Sequence, residues 1–484
     1  PVYSNNAEST RTLASLSGTA VDGGSNASGV SQAWVAVSSG AASGLWWSDA
    51  AGAFSVSQSA IYWTSSVPAG FNPWTYSKAA FAPALSDGDL YTVFTRARDT
   101  AGNLQGYVVN PGDAGVIKQS FIYDVSRPTA TVSVPSTTYH NAGLTALSGT
   151  AADTSVGLIS GLDSVYVAVQ VSPPGGNWWN WGLGSFADSA LGSSAWTAVF
   201  STTTASIASV NWSTAVPSGM LTSGQSYRVI AYAKDRATND SQGTANAAGA
   251  GKNFTYQNTA PNAAIAFPAE SGKYNLASIA PLSGTAADAV SGVTQVQVLV
   301  KSTVLGYWNG GTSGTVADWD NSPGTRYARW QTASGTTSWT KALPSLTVVD
   351  GDRFYVWVRA SNAAANTSPT PSNGQLDLNQ NADASAARTF FYDNTAPVSS
   401  LTSPANNALM NNTLPTVTGT SADPLGAGNP AGVVNASILL RRSDGQYFQP
   451  ASNDYGAANP GFSNIGITGL APFSRSFVAG TFQD

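Results

Sequence analysis

Residues 282–300 read LSGTAADAVSGVTQVQVLV, and related stretches stand at 16–37 (LSGTAVDGGSNASGVSQAWVAV), 147–169 (LSGTAADTSVGLISGLDSVYVAV) and 417–440 (VTGTSADPLGAGNPAGVVNASILL). The Asp of each copy falls at Asp22, Asp153, Asp288 and Asp423, in steps of 131, 135 and 135 residues. A fixed period of that size marks a tandem array of domains. After each Asp comes a turn ending in Ser28-Gly29, Ser160-Gly161, Ser291-Gly292 or Ala431-Gly432. An alternating run follows. One side of it is steadily aliphatic: Ala33, Val35, Val37; Val165, Val167, Val169; Val296, Val298, Val300; Ala436, Ile438, Leu440. Period two with one apolar side predicts a strand covering a core.

Outward from this stretch each period repeats one plan. An aromatic segment comes next: Trp46-Trp47, Trp178-Trp179-Asn180-Trp181, Tyr307-Trp308 and Tyr447-Phe448. A Trp ahead of a Pro follows: Trp212 with Pro217, Trp339 with Pro344, and either Trp74 or Trp63 in the first copy. A strand then opens at Gly88, Gly224 or Gly351, and a short aromatic strand leads to a hinge at Pro128, Pro261 or Pro397. Proline cannot donate to a ladder and suits an edge or a linker. These hinges delimit repeats at 1–124, 125–258, 259–394 and 395–484. The expected fold class is all-β, with antiparallel β-sandwiches in an elongated array. The first copy lacks an opening strand and the fourth lacks its final strands. Such open ladder edges recruit strands from other copies, although an excerpt of a longer array reads the same way.

Composition agrees. Only 10% of the 484 residues are charged, against roughly 25% in an average soluble protein. Glu occurs only at Glu8 and Glu270, while Gly, Ser, Thr, Ala, Val and Asn dominate beside 15 Trp and 18 Tyr. That is a strand-and-turn vocabulary. A net charge of −5 without basic runs argues against nucleic acid, and no apolar run is long enough to span a bilayer. Cysteine is absent, which removes disulfides, thiolate metal sites and thiol nucleophiles.

Three features together resemble bacterial immunoglobulin-like repeats: the GTAxD…SGV…VxV core, the hairpin sequence from Arg96 to Asn103, and the Tyr392-to-Pro397 linker Tyr-Asp-Asn-Thr-Ala-Pro. The resemblance covers the whole chain. It implies tandem modules of large cell-surface proteins, adhesins or extracellular fibres, without naming an activity.

Several residues bear on chemistry. His140 is the sole histidine, and no nucleophile elbow, zinc-binding helix motif or phosphate loop occurs. The pairs Asp318/Asp320 and Asp87/Asp89 have the residue type of glycosidase carboxylates, but turns explain them more simply. No enzyme is expected and no cofactor is required. In an immunoglobulin-like topology the loop after GTAxD and the loop holding Asp235 and Asn239 share a pole with the preceding linker. That gathers Asp124, Asp153, Asp235 and Asn239, an oxygen set that suits Ca²⁺, against a plain reading as turn caps. Trp46, Trp47, Trp178, Trp179, Trp181 and Trp308 are candidates for a subunit interface or for stacking on glycans, since the Trp178–Trp181 cluster cannot point inward from one strand as a whole. Asn-x-Ser/Thr acceptors for glycan attachment stand at Asn26, Asn211, Asn239, Asn253, Asn366, Asn411 and Asn435. Outward strand positions include Phe94, Ile230, Tyr232, Trp357 and Leu439, a neutral, aromatic surface easiest to understand if packed against other copies or covered by glycans. The expectation is a non-enzymatic structural protein of the cell exterior that self-assembles into a fibre, sheath or surface layer. The alternative is a glycan-binding surface adhesin.

Overall fold

A computed structural model describes residues 2–3, 13, 15–40, 44–63, 65–67, 70–105, 117–155, 157–204, 206–245, 247, 250–320, 329–343, 346, 350–368, 388–409, 416–424, 432–449, 454–459 and 472–476. The chain divides into two compact units, Pro1–Asn258 and Thr259–Asp484. It is an all-β protein of immunoglobulin-like sandwiches, and every ladder between named strands closes within one period. No described helix is long and apolar enough to cross a membrane.

In the first unit the second repeat shows the plan most fully. One sheet joins Thr129–Val134, Ala146–Ala152 and Ser209–Ala215, all antiparallel. The other is centred on Leu162–Val171 and Gln225–Asp235, paired so that Val165, Val167 and Val169 stand opposite Ala233, Ala231 and Val229. Lys252–Tyr256 flanks Gln225–Asp235, with Tyr139–His140 parallel at its outer edge. On its other side Leu162–Val171 pairs with Trp178–Asn180 at one end and Thr197–Ser201 at the other. The three valines are at most 1% exposed and pack with Trp179, Trp212, Tyr227 and Phe254 between the sheets. Burying a side chain of this kind stabilises by about 1.5–3 kcal/mol. The first repeat repeats the large sheet on Val30–Ser39 and Asp89–Asp99, with Leu16–Gly18 and Trp74–Tyr76 facing it.

In the second unit the third repeat has the same two sheets. Asn262–Phe267, Leu282–Ala287 and Ser338–Lys341 form one, and the other is centred on Val293–Ser302 and Asp352–Asn362. The fourth repeat contributes Val398–Ser403, Thr416–Ala422 and Phe473–Ser476.

The glycine of the GT motif has a cross-strand reason. Gly18 pairs with Trp74, Gly149 with Trp212, Gly284 with Trp339 and Gly419 with Phe473. A methyl group at these glycines would sit 2.4, 2.5, 2.5 and 2.3 Å from the partner ring, so only glycine lets the ring lie across the strand. This also settles the first copy, where Trp74 and not Trp63 is the core residue. Trp63 instead stacks on Arg96, whose guanidinium lies 4.2 Å from the ring centre.

The outer face of the large sheet corrects the expectation of a surface covered by other copies. Phe94 and Ile230 are buried, and Tyr232, Trp357 and Leu439 are half-buried. In the second repeat Ala168, Trp178, Ala195, Trp196, Ile230 and Ala245 form a second small core there. In the first, Ala36, Trp46 and Phe94 do the same with Ile61, Tyr62 and Trp63. The segment after the aromatic hairpin folds back over the sheet. The first two repeats cover their own aromatic faces.

The tryptophans expected at an interface or on glycans are corrected with it. Trp46, Trp47, Trp178, Trp179 and Trp308 are at most 4% exposed. Adjacent residues do point to opposite faces, as Trp178 and Trp179 show, but both faces are internal. Trp181 is half-buried and donates from Nε1 to Ala195 O at 3.0 Å.

Candidate metal centre between the first and second repeats

The Asp of the repeated motif closes the turn that follows it. Asp22 accepts the amide of Gly29 at 2.9 Å, Asp153 that of Gly161 at 2.7 Å, Asp288 that of Gly292 at 3.1 Å and Asp423 that of Gly432 at 2.6 Å. The four glycines have φ of +85°, +88°, +74° and +82°, a region glycine enters without steric cost. The loop length between Asp and Gly varies, but the bond does not. Turn capping is therefore part of the role of this Asp in every copy.

At the second copy more is added. Asp124 directly follows the last strand of the first repeat, Ile117–Tyr123, and its Oδ2 accepts the amide of Ser160 at 2.8 Å. Asp235 ends the Gln225–Asp235 strand and accepts from Asn239 twice, from the backbone N and from Nδ2, each at 2.8 Å. Asn239 Nδ2 also donates to the backbone O of Asp124 at 2.9 Å, which ties the two repeats together. Asp124, Asp153, Asp235 and Asn239 are each no more than 1% exposed. One ligand oxygen from each of the three aspartates lies within 4.8 Å of the other two. Topology thus brings together the four residues singled out from the sequence.

Backbone contact supports the same joint. Gly88 O accepts the amide of Leu158 at 2.7 Å, and a methyl group at Gly88 would sit 2.6 Å from Gly157 N. Asp87 accepts the amide of Val125 at 2.8 Å and the hydroxyl of Ser126 at 2.5 Å, capping the linker itself.

The electrostatics of the cluster are unfavourable as they stand. Burial pushes the Asp235 carboxyl up to about 8, against the opposing hydrogen bonds from Asn239 and with help from Asp124 and Asp153. Burial and the neighbouring Asp124 push Asp153 to about 6, and burial raises Asp124 as well. No Lys or Arg forms an ion pair with any of the three among the described residues. Asp153 Oδ1 is buried and accepts no hydrogen bond among the described residues.

The remaining candidates fall elsewhere. His140 lies in the edge strand beside Phe254, with Nε2 3.1 Å from Thr137 Oγ1. Asp318 caps its own turn, accepting from Ser313 and Gly314, and Asp320 pairs with Arg329. Asn26, Asn211, Asn253 and Asn435 are exposed, and Asn366 is half-buried. Asn239 is corrected as a glycan acceptor, because its amide is buried and engaged in the joint. Asn411 lies outside the described residues.

No protein-family model matches the chain, and no curated protein matches it. Among solved structures it is similar to a tetra-tandem repeat from the extending region of a large adhesion protein. That match has 18% identity, covers 99% of this chain and 90% of the other, and has a TM-score of 0.27. It is also similar to a structure of a 1.5-MDa bacterial ice-binding adhesin, with 14% identity, 76% and 88% coverage and a TM-score of 0.25. Fibronectin(III)-like modules of Clostridium thermocellum CbhA match at 13% identity, with 55% and 94% coverage and a TM-score of 0.25. The sandwich assignment stands on the sheets themselves.

Proposed function

We propose that the chain is a non-enzymatic structural protein of the cell exterior, an array of immunoglobulin-like modules that holds distance and assembles with copies of itself into a fibre, sheath or surface layer. The observation that carries this reading is the self-sufficiency of the first and second repeats. Ladders close within a period, and in the first and second repeats both faces of the long sheet are filled from inside. Polar side chains go to turns and to the joint between the first two repeats. Such modules are mechanical units.

Assembly with copies is supported by the charge content. A freely soluble domain carries about 25–35% charged residues at its surface, and this chain has 10% in total. Protease shaving of intact source cells, followed by electron microscopy of the released material, tests both parts. Release of ordered polymers supports the reading. A protein protected inside the cell, or one that stays monomeric at every concentration in sedimentation velocity, contradicts it.

A further inference from the structure

We infer that Asp124, Asp153 and Asp235 form a site for one hard divalent cation, calcium by preference, that locks the first repeat to the second. The inference goes beyond the structural role proposed above and does not depend on it.

The third repeat supplies an internal control. Its counterparts of Asp124, Asp153 and Asp235 are Gln257, Asp288 and Asn362. Asp288 Oδ1 caps its turn, and its other oxygen, Oδ2, accepts Asn362 Nδ2 at 3.0 Å. The single carboxylate there is fully served by an amide from the neighbouring strand. In the second repeat that amide is replaced by the carboxylate of Asp235. Asp153 Oδ2 still caps the turn, but the corresponding oxygen, Oδ1, is buried and has no donor among the described residues. Two carboxylates facing each other in a dry site need a proton or a cation between them.

The geometry admits the cation. Calcium binds oxygens at about 2.3–2.6 Å, so ligand atoms on opposite sides of one ion stand about 4.6–5.2 Å apart. The three aspartate oxygens lie within 4.8 Å of one another. Each carboxylate keeps spare lone pairs beyond its present hydrogen bonds, so the cation adds to the network without dismantling it. Oxygen-only donors exclude a soft-metal preference. Calcium accepts irregular protein cages, whereas magnesium retains its waters and an octahedron, so calcium fits this enclosed place better. Asp124 comes from the first repeat and the other two from the second, so the ion would join the repeats directly.

The test uses the full chain, stripped with chelator and titrated with calcium chloride, magnesium chloride or no metal. Calcium at about a hundred times its dissociation constant should raise the melting temperature of the first unit by roughly 5 °C or more, with calorimetry reporting one site. Magnesium should raise it less. The double variant Asp124→Gln/Asp235→Asn reproduces the third repeat's own set; it should fold without metal and ignore calcium. Asp235→Asn alone, which keeps Asn239 as a partner, should weaken calcium at least tenfold and guards against a folding failure of the double variant. Indifference of the unaltered chain to both metals overturns the inference. So does an equal calcium response in the unaltered and Asp235→Asn proteins, which would place the ion elsewhere.

Discussion

Asn362 Nδ2 donates to Asp288 Oδ2 at 3.0 Å, in the place where the preceding repeat sets Asp235 beside Asp153. One substitution between repeats thus changes an amide-to-carboxylate hydrogen bond into a pair of buried acids. Asp288→Ala removes the acceptor for the amides of Val290, Ser291 and Gly292 as well as for Asn362. It should destabilise the third repeat by about 1–3 kcal/mol in urea unfolding. Asp22→Ala, losing only Gly29 N and Ser28 Oγ, should cost less, about 1 kcal/mol.

Without metal, pH should act on the first unit in a defined direction. Asp153 and Asp235 have folded values of about 6 and about 8, above the unfolded carboxyl value of about 4. The folded state therefore holds protons that the unfolded state releases. Their contribution is complete below about pH 4 and is lost as pH rises through 6 and then 8. The charged groups bearing on the pair are Asp87 and Asp124, both acidic. Melting temperature in chelator should fall from pH 5 to pH 9, and a flat or rising profile would contradict the burial of this cluster.

Gly149→Ala should destabilise the second repeat by at least about 1–3 kcal/mol, because the added methyl meets Trp212 Cζ2 at 2.5 Å and Thr131 O at 1.9 Å. Denaturant unfolding checks it. The same change at Gly175, where nothing lies within 4 Å, meets only the strain of its φ of +93°.

Trp179→Ala should cost about 3–5 kcal/mol, since the ring is 3% exposed in the main core. Trp178→Ala should cost a comparable amount from the opposite face. Circular dichroism and unfolding would register both. A glycan-binding loss with unchanged stability would contradict the packing described here.

The alternation of Val165, Val167 and Val169 made the sandwich legible, because a period of two is written directly in the chain. The joint residues were legible through the spacing of Asp153, Asp235 and Asn239 and through the place of Asp124 just ahead of the Pro128 hinge. What remained hidden depends on cross-strand register. The reason for Gly149 in the repeated motif is visible only once Trp212 is seen lying over it. Trp178 reads as exposed because the segment that covers it, near Ala195 and Trp196, has no periodicity of its own. Asn239 matches a glycan acceptor by triplet, yet its side chain is consumed by Asp124 and Asp235. The Asp235-to-Asn362 exchange becomes informative only when the oxygen it faces is known.

The most direct measurement is anomalous diffraction from crystals of the full chain grown in calcium. The account predicts one peak bounded by Asp124, Asp153 and Asp235, with oxygen distances of about 2.3–2.6 Å. The three carboxyls in direct oxygen-to-oxygen contact with no anomalous peak between them, or a peak only elsewhere, would contradict it.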